Sequence, residues 1–149
     1  MSTNTRLVKT TPDRVWDVLA DGWLYPLWVV GASRIRDVEP AWPAVGAKIH
    51  HSVGAWPLLL DDHTEVLECS PGSMLRLKAR VWPAGEAEVT VRLRASGSNT
   101  EVEIEEEARS GPAALIPGAL KHPMLAWRNT EALRRLAFVA EGRTAPTPE

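Results

Sequence analysis

The segment Val89–Glu107, VTVRLRASGSNTEVEIEEE, decides how this chain folds. Apolar and polar residues alternate on both sides of SGSN (Ser96–Asn99), which reads as a turn. With that turn, Leu93 faces Val102 and Val91 faces Ile104 on one side, while Arg94 faces Glu101 and Arg92 faces Glu103 on the other. Opposite charges align on the wet face and apolar groups on the dry one, so the pattern predicts an antiparallel hairpin in a single register. The acidic run EVEIEEE is then an exposed strand face, not a binding tail. The same parity turns Glu106 inward, beside Val102 and Ile104.

Working back from the hairpin, SRIRDVE, AKIHHSV, HTEVLEC and SMLRLKARV read as strands between Pro- and Gly-rich connections, and RLVKT as a short strand near the front. TTPDRVWDVLAD reads as a helix. Thr11 can cap it, Pro12 fits its first turn, and Asp13 suits the positive end of its dipole. GWLYPLWVVGA is a second short helix, bent by Pro26. Beyond the hairpin, about Lys121 to Glu141 is the longest helical pattern. Leu125, Ala132, Leu133, Leu136 and Ala140 form its apolar stripe, with Arg128, Glu131, Arg134 and Arg135 opposite. Pro123 belongs in its first turn and Gly142 at its stop. A curved antiparallel sheet that is apolar on one face needs a cover, which only this helix can supply. A bent sheet cannot touch one helix along its whole length. A cavity of ligand size, about 300 Å³ or more, is therefore expected between them.

The bulk numbers narrow the function. A chain of 149 residues is one ordinary domain. The boundaries read as a single domain over 1–141 and a flexible, Pro-rich tail over 142–149. With 17 basic and 19 acidic residues, no strong field draws it to nucleic acid or a membrane surface. No apolar run reaches the ~18 residues that cross a bilayer. The single cysteine, Cys69, cannot form an internal disulfide, and MSTNTRLVKT has no signal-peptide core, so the cytoplasm is the expected compartment. Seven tryptophans accompany one tyrosine and one phenylalanine. Such flat side chains suit a core or the wall of an apolar pocket.

Four stretches, TPDRVWDVLADGWLYPLWVVGA, PAVGAKIHHSVG, TEVLECSPGSMLRLKAR and WRNTEALRRLAFVAE, together resemble the SRPBCC superfamily, the START-like or helix-grip fold. Within it they resemble the polyketide cyclase/dehydrase and lipid-transport group, over about Thr5 to Glu141. The resemblance implies an α+β fold. A curved antiparallel sheet of about seven strands wraps a long C-terminal helix, with two short helices after the first strand. It also implies a cavity for lipids, quinones, hormones or polyketides, with catalysis in only some members.

The stretch KIHHSVGAWPLLLDDH (Lys48–His63) looks at first like a metal site. The strand period, however, puts Ile49, His51 and Val53 on one face and Lys48, His50 and Ser52 on the other. The two histidines therefore diverge. The aspartates lie beyond Pro57 in a turn, and no metal is expected. His51, Glu106 and Asn129 instead converge on an apolar interior, where each needs a partner or a water. Tyr25 and Trp28 lie on the helix that closes one mouth of the resembled fold, and Trp56 on a loop of the same rim. Val91 is an inward wall residue, and Trp16, Trp82 and Trp127 read as core. The leading expectation is a protein that binds a small hydrophobic molecule through Tyr25, Trp28, His51, Val91, Glu106 and Asn129. The first alternative is a cyclase, aromatase or dehydratase using His51 and Glu106 as acid and base, with Asn129 orienting the substrate. The second is a regulatory protein-interaction module. No phosphate loop or dinucleotide fingerprint is present, so no cofactor is expected. Oligomeric state is left open.

Overall fold

The computed structural model describes residues 2–29, 32–53, 60–81, 85–110 and 117–142. The elements are β1 (Ser2–Val8), α1 (Pro12–Ala20), a 3-10 turn (Gly22–Leu24), α2 (Tyr25–Trp28) and β2 (Ala32–Val38). They continue with β3 (Lys48–Val53), β4 (Leu60–Ser70), β5 (Met74–Val81), β6 (Gly85–Ser96), β7 (Asn99–Ser110) and α3 (Gly118–Gly142). Among the described residues, seven strands form one sheet in the order β1-β7-β6-β5-β4-β3-β2. Every neighbouring pair is antiparallel. The curved sheet and the long helix form the helix-grip arrangement that the sequence implies.

The β6–β7 hairpin has the expected register: Leu93 pairs with Val102, Val91 with Ile104, Arg94 with Glu101 and Arg92 with Glu103. Its dry face is buried. On the wet face Arg92 Nη1 reaches Glu103 at 3.2 Å and Glu105 at 3.1 Å. These exposed pairs add little stability, but they make the acidic run a solvated face.

In α1, Val15, Val18 and Leu19 are buried as the stripe requires. Thr11 occupies the N-cap position, but its side chain makes no cap hydrogen bond; its carbonyl receives the Arg14 and Val15 amides instead. Gly22 follows in a space that no side chain fits, since a Cβ there would lie 2.6 Å from Val38 Cγ1.

The cover helix α3 packs on β1, α1 and α2 and also touches β7. Leu133 and Leu136 are buried, and Arg134 is exposed as expected, whereas Arg135 is only partly so. Pro123 is a correction: α3 begins at Gly118, so the proline lies in the second turn. It removes one backbone hydrogen bond there, at an exposed position that accommodates the loss. Gly142, expected to stop the helix, is its last residue. Trp127, read as core, is 65% exposed, because four and seven residues on it shares a stripe with Glu131 and Arg134. Trp56, Trp82, the Leu125 side chain and the tail beyond Gly142 lie outside the described residues.

Candidate functional site

The polar interior is built by three elements facing one another. From β7, the inward parity that buries Val102 and Ile104 carries Glu106 in after them. From α3, Asn129 falls on the buried stripe, and Arg128 beside it reaches across to the sheet. Arg128 Nη1 lies 3.4 Å from Glu106 Oε1. From α2, Tyr25 and Trp28 close the space, with their rings edge to face at 5.6 Å. Val89, Leu77 and Ala132 are among the apolar residues that line it. Burial pushes the Glu106 carboxyl above its ordinary range, and Arg128 opposes the shift. Asn129 Nδ2 is buried with no hydrogen-bond partner among the described residues.

His51 belongs to a second cluster one layer away. On β3 it is buried on the concave side, opposite Asp62 of β4. Its Nε2 lies 2.9 Å from Thr64 Oγ1, and Thr64 Oγ1 lies 2.9 Å from Tyr25 Oη. The His51 and Tyr25 rings stack with centroids 5.5 Å apart. Burial pushes the imidazole below its ordinary value, against the nearby Asp62 carboxylate. Burial also pushes the Tyr25 phenol up, against its bond to Thr64. A hydroxyl can donate and accept at once, so Thr64 links the phenol at the cavity to the imidazole behind it.

A family model described as polyketide cyclase / dehydrase and lipid transport matches residues 2–141. The chain belongs to this family. No curated protein matches it at a significant level. Among solved structures, protein NE0264 from Nitrosomonas europaea superposes with a TM-score of 0.70 at 12% identity, covering 95% of this chain and 94% of that one. Protein CV1439 from Chromobacterium violaceum gives 0.64 at 20% identity, covering 92% and 94%. CalU16 from Micromonospora echinospora gives 0.63 at 16% identity, covering 97% and 76%. At these identities the likeness shows the shared fold.

Within this polyketide cyclase/dehydrase-family fold, the expected residues divide. Glu106, Asn129, Tyr25 and Trp28 meet at one cavity. Tyr25 and Trp28, expected near an entrance, are both buried. His51 does not line the cavity; it stands behind Tyr25, joined through Thr64. Val91 is fully buried in the core, while Val89, two residues earlier on the same face, lines the space. The cavity size is a correction. Its volume is about 30 Å³, the room one water needs, because Tyr25, Trp28 and the Arg128–Glu106 pair fill the gap.

The aspartates are also corrected. Asp61 and Asp62 are strand residues of β4, paired with Ser52 and His51. His50, on the opposite face from His51, lies 3.5 Å from Glu39. Among the described residues, no group of three or more His, Cys, Asp or Glu is placed to hold a metal ion. No described helix is long and apolar enough to cross a membrane.

Three site residues escaped the sequence reading: Thr64, Asp62 and Arg128. Thr64 and Asp62 share the parity of buried Val66 in DDHTEV, a signal that was available. Arg128, expected on the wet side of α3, turns to Glu106 because a buried carboxylate needs a cation and Arg128 adjoins Asn129.

The two shifted groups make stability depend on pH with opposite signs. Glu106 is raised from an ordinary 4.5, so its contribution is complete below that pH and is lost as pH rises through the folded value. His51 is lowered from an ordinary 6.5, so its contribution is complete above that pH and is lost as pH falls. Urea unfolding across pH should therefore show Glu106→Gln flattening the loss on the alkaline side. His51→Gln should flatten the loss on the acid side.

Proposed function

We propose that this protein holds one small apolar molecule, lipid-like, aromatic or polyketide-like, between the sheet and α3, in the cytoplasm and without a cofactor. The observation that carries this reading is Asn129 Nδ2, buried at the cavity with no hydrogen-bond partner among the described residues. Leaving such an atom unsatisfied costs about 1–3 kcal/mol. A ligand oxygen would supply Asn129 with the acceptor it lacks. Family membership supports the same reading. The free Cys69 fits a reducing compartment. The existing 30 Å³ holds no such ligand, so entry displaces side chains. The four-residue α2, which carries Tyr25 and Trp28, is a single turn with few internal hydrogen bonds to lose.

A second reading, a cyclase- or dehydratase-type enzyme, rests on the Tyr25–Thr64–His51 chain, which joins the hydroxyl of a cavity-lining tyrosine to a buried imidazole. One titration addresses both. An apolar fluorescent probe should bind saturably and alter tryptophan emission. Ala132→Phe should weaken that binding about tenfold or more, equivalent to about 1.4 kcal/mol, with folding checked separately. His51→Ala then divides the readings. A carrier keeps most of its affinity, whereas an enzyme using His51 as acid or base loses turnover by ~100-fold or more. No saturable binding overturns both and leaves the protein-interaction module.

A further inference from the structure

The face of α3 turned away from the sheet carries two large aromatic side chains that ligand binding does not use. Trp127 is 65% exposed and Phe138 is 81% exposed. Phe138 is also the only phenylalanine in the chain. Two exposed aromatic groups on one stripe of a helix supply the kind of anchor that interfaces use. On the same stripe, between them, lie Glu131 and Arg134. The four residues are spaced by four, three and four positions, the repeat that keeps one helix stripe against a neighbouring helix.

Their order is self-complementary. Let two copies of α3 lie antiparallel about a twofold axis level with Ala132 and Leu133. Trp127 of each copy then meets Phe138 of the other, and Glu131 meets Arg134, so each contact occurs twice. A stripe that reads apolar, acidic, basic, apolar has no net sign to favour an anionic surface, whereas it matches its own reverse. Within one chain Glu131 already accepts hydrogen bonds from Arg134 Nε at 3.0 Å and Nη2 at 2.8 Å, and from Arg135 Nε at 2.9 Å. The carboxylate and guanidinium are thus oriented along the stripe, and five N–H donors let Arg134 serve a second carboxylate as well.

We propose that this protein self-associates as an antiparallel twofold dimer through the outer face of α3, with Trp127 packed on Phe138 and Glu131 paired with Arg134 across the axis. The contact runs about 16 Å along each helix. Four residues from each copy make a small contact beside the ~1,200 Å² of stable complexes, so the dimer is a weak one.

Sedimentation equilibrium over a micromolar concentration series tests this. The wild-type chain should show a reversible monomer–dimer equilibrium. Glu131→Arg and Arg134→Glu each set like charges across the axis and should weaken association about tenfold or more. Mixed in equal amounts, these two variants restore both opposite-charge pairs, and the mixture should associate at least as tightly as wild type. Trp127→Lys and Phe138→Glu form a second pair with the same logic, usable if either charge variant misfolds. A wild-type chain that stays monomeric would overturn the proposal. So would single variants that associate unchanged, or mixtures no tighter than their separate components.

Discussion

Trp28→Ala lowers the unfolding free energy by about 3–5 kcal/mol and, in the same protein, tightens the binding of an apolar probe. Trp28 is 2% exposed and meets Tyr25 edge to face. Its removal forfeits a large buried area and an aromatic contact. Because the indole lines the existing cavity, the space left behind adds to that cavity rather than forming a sealed void elsewhere. Urea unfolding and probe titration should therefore move in opposite directions. A tryptophan serving only as core would lower stability with no gain in binding, and that result would count against α2 as the element that yields to a ligand.

Leu136→Ala should cost about 2–5 kcal/mol in the same unfolding experiment. Leu136 is fully buried in the hydrophobic core cluster that also holds Val15, Leu133 and Ala140. Close packing leaves neighbours little freedom to refill the space, which places the cost well above simple transfer. Arg134→Ala, two residues earlier on the exposed side, should stay within about 0.5 kcal/mol of wild type. A small loss at Leu136 would mean that α3 is not the cover the sheet depends on.

How much of this was legible in the sequence depends on which signal was strong. The β6–β7 register was, because period-two alternation and charge matching constrain it independently and agree. Glu106 followed from the same parity, and Asn129 from the helical stripe. Trp127 lies outside the core because helical phase, not the tendency of large flat residues to be buried, decides which way a side chain points. The cavity volume was not legible at all. Thirty or three hundred cubic ångströms depends on the rotamers of Tyr25, Trp28 and Arg128, which no spacing rule sets. The Thr64 bridge needed strand pairing in three dimensions, since Tyr25 and His51 approach the hydroxyl from separate elements.

The central claim is that a small apolar molecule occupies the space between the sheet and α3. Native mass spectrometry of the chain after incubation with a total lipid and metabolite extract tests it most directly. The account predicts one small-molecule adduct per chain, diminished in Ala132→Phe and retained in Trp28→Ala. The bare chain mass after every extract, in wild type and in Trp28→Ala alike, would contradict it.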